Sequence, residues 1–229
     1  MSADARLITA LDLPSVEDAK ALVAAIGDAG CFYKIGLQLL PVGGMALCRE
    51  LKSAGHGVFL DFKLHDISAT VEKATRSIAP SGADYLTIHA EPPVMRAAHT
   101  GREGSDLKLL AVTVMTSYDD AMLKEMGFAY GARDLVLMRT EQALEAGCDG
   151  VIASAHEAAE LRARFGDGFE IITPGIRPAG SAADDQARIA TPAQAIAMGA
   201  SRIVVGRPVN AAADPRKAVQ AINAELAGI

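Results

Sequence analysis

The sequence predicts an α/β fold of the (β/α)8 TIM-barrel type, a single domain over residues 1–229. Three observations carry the prediction. Short apolar runs rich in β-branched residues recur eight times, residues suited to start helices follow several of them, and glycines stand shortly before several of the next runs. Strands alternating with helices imply a parallel sheet, and strand starts about 28 residues apart suit a barrel of roughly 250 residues. A doubly wound open sheet is the structural alternative.

In chain order, the first run is Leu7–Leu11, followed by Ser15 with Asp18, a pattern suited to capping a helix N-terminus. The second is Cys31–Ile35. Gly55 precedes the third, Val58–Phe62, and Gly82 the fourth, Tyr85–His89; glycine tolerates the left-handed backbone that ends a helix. Leu109–Val114 is the fifth run. Gly147 leads into the sixth, Val151–Ala153, after which Ser154 with Glu157 forms a capping pattern. Glu170–Thr173 is the seventh, and Thr191, Pro192 and Gln194 start a helix beyond it. Gly199 precedes the eighth, Arg202–Val205. The two long connections, 115–133 and 174–189, follow strands 5 and 7 and are lid candidates, because strand-to-helix loops of a barrel carry its active site.

Composition narrows the function classes. Half the 229 residues are hydrophobic, enough for a large core, yet no apolar run approaches the roughly 18 residues of a membrane span. The N-terminus lacks the basic-then-apolar build of a signal peptide, so a soluble, cytoplasmic protein without membrane contact is expected. A net charge of -6 and a pI near 5.4 argue against nucleic acid as a partner. Cys31, Cys48 and Cys148 are too scattered for a disulfide framework or a zinc site and read as small buried residues. No His-Glu-x-x-His, Gly-x-Ser-x-Gly, Walker or Gly-x-Gly-x-x-Gly pattern occurs.

Ionisable residues gather at strand ends: Asp12 after strand 1, Lys34 within strand 2, and Asp61 and Lys63 closing strand 3. Charge there is costly unless it pairs or acts. Strand side chains alternate, so Asp61 and Lys63 share a face opposite Phe62; with Phe62 packed under the helices, both charges point into the barrel mouth. Asp-x-Lys-x-x-Asp alone fits a solvated charge run. Set beside Lys34, a lysine flanked by carboxylates stays protonated and suits proton donation. His65 and His89 read as hydrogen-bonded structural histidines, and Ser154 as a helix cap.

Thr173-Pro174-Gly175-Ile176-Arg177 and Val205-Gly206-Arg207 follow strands 7 and 8, where barrels frequently bind phosphate through glycine-exposed amides. Gly206 offers open backbone and Arg207 a charge-assisted fork.

Together these residues resemble the orotidine 5'-phosphate decarboxylase family along essentially the whole chain, through Ala10-Leu11-Asp12, Lys34-Ile35-Gly36, Asp61-Phe62-Lys63-Leu64-His65-Asp66-Ile67, Thr173-Pro174-Gly175-Ile176-Arg177, Asp185-Gln186 and Val205-Gly206-Arg207. The resemblance implies conversion of orotidine 5'-monophosphate to UMP and CO2 in pyrimidine synthesis, by a homodimer without metal or organic cofactor. It implies that Lys63 protonates C6, that Asp61 faces the substrate carboxylate, and that Lys34 holds the charged network and contacts ribose with Asp12. Asp66 and Thr70 match positions that serve the partner's site across the dimer interface. Thr116 matches the residue that reads the pyrimidine, Arg177 and Arg207 match phosphate ligands, and Gln186 matches an amide bridging phosphate loop and base. Two departures stand out: Ser68-Ala69 replaces the family's usual Pro-Asn, and Phe62 its common Leu.

Loss of CO2 from C6 leaves an sp² carbanion that the ring cannot delocalise, so an ammonium held at that atom can stabilise and then protonate it. Two rivals share parts of the pattern. A magnesium-dependent sugar-phosphate decarboxylase or synthase of the same barrel group shares Asp-x-Lys-x-x-Asp, but carries an acidic residue on the metal side after strand 2, where Lys34 would repel a divalent cation. A non-catalytic nucleotide-binding barrel would keep the phosphate loops without needing Asp61, Lys63 and Asp66.

Overall fold

The computed structural model describes residues 2–178 and 190–229. Eight parallel strands close into a barrel in sequence order: β1 Leu7–Ala10, β2 Phe32–Gly36, β3 Gly57–Leu64, β4 Tyr85–His89, β5 Lys108–Val112, β6 Gly150–Ile152, β7 Glu170–Thr173 and β8 Arg202–Val205, with β8 pairing back onto β1. The open-sheet alternative is thereby excluded. The intervening helices are α1 Val16–Ile26, α2 Gly44–Ser53, α3 Ser68–Ile78, α4 Pro92–Gly101, α5 Asp120–Glu125, α6 Ala132–Glu145, α7 Ala155–Phe165, α8 Pro192–Ala197, α9 Arg207–Asn210 and α10 Pro215–Ala227.

Alternation along the strands separates two apolar layers. Ile8, Phe32, Phe59, Tyr85, Leu110, Ile172 and Val204 fill the barrel interior. Their neighbours, among them Ile35, Leu60, Leu86, Ala111, Ile171 and Ile203, face outward and pack with the helices in one continuous cluster. Each large side chain so buried contributes about 1.5–3 kcal/mol relative to exposure. The helix signals act as the residues suggest. Ser15 Oγ accepts the Asp18 N–H at 3.0 Å, Glu157 accepts the Ser154 N–H at 2.7 Å, and Thr191 with Gln194 forms a reciprocal cap. The four glycines singled out before strands all take positive φ, from +77° to +104°.

Boundaries differ from expectation by one residue at β1, β2 and β6 and by up to two at β3 and β5. β5 runs over Lys108–Val112, leaving Thr113 and Val114 to the following loop. β3 extends to Leu64, and its register against β4 shifts between Leu60 and Leu64. The long connection after β5 contains a helix, α5, because Asp119 caps it through the Met122 N–H at 2.8 Å and Asp120 accepts the Ala132 N–H at 2.7 Å. Most of the second long connection lies outside the described residues. At the start of α3, where Ser68-Ala69 departs from the family pattern, Asp66 accepts the Ile67 N–H at 2.7 Å and the Thr70 N–H donates to Ile67 O at 3.0 Å. The turn is thus closed without proline.

Candidate active site

The top of the barrel interior, at the C-terminal strand ends, carries charge in place of the apolar layer below. Lys34, one step above Phe32 on the inner face of β2, donates to Asp12 Oδ1 at 2.9 Å and lies 3.3 Å from Asp61 Oδ2. Asp61, one step above Phe59 on β3, accepts from Lys63 Nζ at 2.7 Å and from the Thr87 hydroxyl at 2.9 Å. The outcome is a row of alternating sign, Asp12, Lys34, Asp61, Lys63. Phe62 is buried in the outer cluster, as the alternation argument requires.

Burial works against the charge on both inner members, and the neighbours reverse it. Lys34 is almost wholly buried, which disfavours its ammonium, yet the carboxylates of Asp61 and Asp12 leave its pKa above the ordinary lysine value. Asp61 is likewise penalised by burial, but Lys34, Lys63 and the Thr87 hydroxyl hold its carboxyl below the ordinary range. Lys34 and Asp61 are therefore both charged at neutral pH.

Gly36, at the end of β2, has a structural role beside its place in the Lys34-Ile35-Gly36 motif. A Cβ there would stand 2.8 Å from Asp12 Oδ1 and 3.0 Å from Lys34 Nζ. The ion pair occupies the space that any other residue would take.

Two connected cavities open from this row. One, of about 170 Å³, is walled by Lys63, Phe59, Val112, Val114, Met115, Thr116, Ile152 and Val204. The other, of about 310 Å³, reaches from Asp12 to Gly175, Arg177, Gly206, Arg207 and Asn210. Lys34, Asp61, Pro174 and Val204 border both. Gly175 has φ +77°, a conformation open to glycine at little cost, and Arg177 is buried with its guanidinium donating to Ile176 O at 3.0 Å.

The expected site residues thus divide. Asp12, Lys34, Asp61, Lys63, Thr116, Arg177, Gly206 and Arg207 border the connected cavities of one chain. Asp66 and Thr70 do not: they are exposed on the turn and first helical residues after β3, beside Ile67, which is 72% exposed. Gln186 lies outside the described residues. Sequence reasoning missed Thr87 and Asn210; a single threonine in an apolar strand and a single asparagine in a short helix carry no local signal. His65 pairs with Glu91 at 3.0 Å, as a structural histidine would.

Alternating charges edging a cavity at the C-terminal mouth of a parallel barrel stand where barrel enzymes carry their active sites. The chain is a member of the orotidine 5'-phosphate decarboxylase / HUMPS family, whose pattern matches residues 5–222. It is 57% identical to orotidine 5'-phosphate decarboxylase of Caulobacter sp. (strain K31) across the full length of both chains. It is 56% identical to the enzyme of the same name from Rhodopseudomonas palustris (strain BisA53), over 97% of this chain and 95% of that one. The crystal structure of orotidine 5'-phosphate decarboxylase from Lactobacillus acidophilus superposes with a TM-score of 0.84 at 36% identity, covering 96% and 97% of the two chains.

Proposed function

We infer that this chain decarboxylates orotidine 5'-monophosphate to UMP and CO2, the closing step of UMP synthesis. The observation that carries the reading is the charge row set between two joined cavities, one apolar and ring-sized, the other lined by glycines and arginines. The pyrimidine enters the first, against Thr116, and the phosphate the second, near Gly175, Arg177, Gly206 and Arg207. Asp12 and Lys34 meet the ribose between them.

In this pose the substrate carboxylate faces Asp61 and C6 faces Lys63. The C6–carboxylate bond breaks, CO2 leaves, and the electron pair stays on C6 beside the Lys63 ammonium. That ammonium then gives its proton to C6, forming UMP and leaving a neutral amine that solvent reprotonates. Because Lys34 and Thr87 already hold Asp61, the ammonium's partner, in place, little reorganisation is needed as charge develops. Phosphate binding far from C6 supplies energy for holding the reactive arrangement.

The acting unit is a homodimer with composite sites. Asp66 and Thr70 have no place in their own chain's cavities, and exposed Leu37, Val42 and Ile67 on adjoining loops after β2 and β3 offer apolar surface for a partner. Lys34 Nζ lies between the carboxylates of Asp12 and Asp61, so a divalent cation there would meet an ammonium already in place. This disfavours the magnesium-dependent branch and supports a reaction with no cofactor. Within the described residues no helix is long and apolar enough to cross a membrane. That and the net charge of -6 fit a cytoplasmic enzyme of small molecules, without nucleic-acid or membrane partners.

The test is to follow the ultraviolet absorbance of orotidine 5'-monophosphate with purified protein, with and without chelator. Chelator-insensitive loss is expected; tight UMP binding without turnover would instead favour a binding module. For shared sites, mixing Lys63→Ala with Asp66→Asn protein should restore activity through heterodimers, and no rescue after verified subunit exchange would count against them.

A further inference from the structure

One hydroxyl joins the backbone of Lys63 to the carboxylate of Asp61. Lys63 has φ +47°, the one non-glycine residue with positive φ among the described residues. Such a conformation costs a residue with a side chain on the order of 1–3 kcal/mol and persists only where its surroundings hold it. It lies where the β3–β4 register breaks, and its N–H donates to Thr87 Oγ1 at 3.0 Å. The same hydroxyl donates to Asp61 Oδ1 at 2.9 Å. A hydroxyl has one proton, so accepting from the amide commits that proton to the carboxylate. Asp61 Oδ1 then receives Thr87 on one side and Lys63 Nζ on the other.

Thr87 is fully buried on the inner face of β4, between Tyr85 below and His89 above, and is not among the side chains bordering the cavities. A threonine in such a place ordinarily bonds a neighbouring carbonyl, as Thr113 does with Ile152 O at 3.0 Å. Thr87 is turned to the charged row instead.

We propose that Thr87 is a positioning residue for the reaction: its hydroxyl fixes the left-handed turn that aims Lys63 and locks the rotation of the Asp61 carboxylate that receives it. The proposal rests on the reading of Lys63 as the donor to C6. Without the hydroxyl, the Lys63 amide loses its partner and the carboxylate is free to turn, while the pocket walls stay in place.

Thr87→Val keeps the branched shape and removes the hydroxyl; Thr87→Ser keeps the hydroxyl and removes the methyl. The valine variant is expected to lower kcat roughly 10- to 100-fold, the cost of misplacing a reacting group by a fraction of an ångström to an ångström. UMP affinity should stay within about threefold, and the serine variant should recover most of kcat. Hydrogen exchange at the Lys63 amide should quicken in Thr87→Val and slow again in Thr87→Ser. Wild-type kcat and exchange in Thr87→Val would overturn the proposal, as would parallel losses of kcat and UMP affinity that serine does not repair. If the buried valine prevents folding, Thr87→Ala against Thr87→Ser isolates the same hydroxyl, and equal kcat in that pair overturns it. Should the wild-type protein leave orotidine 5'-monophosphate unchanged, the decarboxylase reading fails, while the amide exchange still decides whether Thr87 holds Lys63.

Discussion

The two ends of the barrel interior use similar side chains for opposite ends. At the bottom, Arg202 donates to the Tyr85 hydroxyl at 3.1 Å, that hydroxyl donates to Glu170 at 3.2 Å, and Lys108 Nζ stands 3.5 Å from the same carboxylate. The Arg202 guanidinium also covers the Phe32 ring at 5.0 Å. On the interior side the charge here is closed over by aromatic rings, which stack with centroids 5.6 Å apart for Phe32 and Tyr85, and Lys108 and Glu170 edge only an open depression of the outer surface. At the top, Asp12, Lys34, Asp61 and Lys63 pair just as closely but edge a cavity. A bottom charge therefore acts on stability, and a top charge is kept ready for a ligand. The difference lies in what fills the space beside the charges, not in the charges themselves.

Substitutions can break or sharpen this contrast. The largest effect is expected from Asp61→Ala, which leaves the ammoniums of Lys34 and Lys63 without their shared partner. Turnover should fall by about 10³-fold or more, and stability by about 3–5 kcal/mol, since removing one member of a buried pair strands the other charge. Assays with chemical denaturation measure both; a loss of stability alone would place Asp61 with the bottom network. Glu170→Gln should do the reverse, with kcat near wild type and a cost of about 1–3 kcal/mol, seen as a melting temperature lower by several degrees. Reduced kcat at unchanged stability would erase the distinction between the ends.

The smallest expected effect concerns His89, on the rim of the top end. Burial, followed by the nearby His65, lowers its pKa below the ordinary 6.5. Between that depressed value and 6.5 the unfolded chain holds more protons, so stability is present above this window and is lost as the pH falls through it. Taking the wild type from pH 7 to pH 5 should thus lower its melting temperature more than it does for His89→Asn. Equal decreases would remove His89 from the account.

Much of this architecture is legible in the sequence because it is local. Eight apolar runs, with caps such as Ser15 and Thr191 between them, carry the strand and helix order. The alternation of Asp61, Phe62 and Lys63 carries the direction of the charges. What the sequence does not carry is non-local. Closure of β8 onto β1 depends on every strand's tilt, and the positive φ of Lys63 arises where β3 slips against β4. Gly36 looks like any strand-end glycine until Asp12 and Lys34 meet over it. Thr87 reads as one more β-branched residue, since its two polar partners lie 24 and 26 positions away.

The central claim is that the top-end charge row exists to place the Lys63 ammonium at C6 of orotidine 5'-monophosphate. Turnover by Lys63→Ala, in protein shown to be folded and to bind UMP, tests it most directly. The account predicts a fall in kcat of about 10⁴-fold or more with the melting temperature within a few degrees of wild type. A variant that binds UMP and retains most of its decarboxylase activity would contradict it.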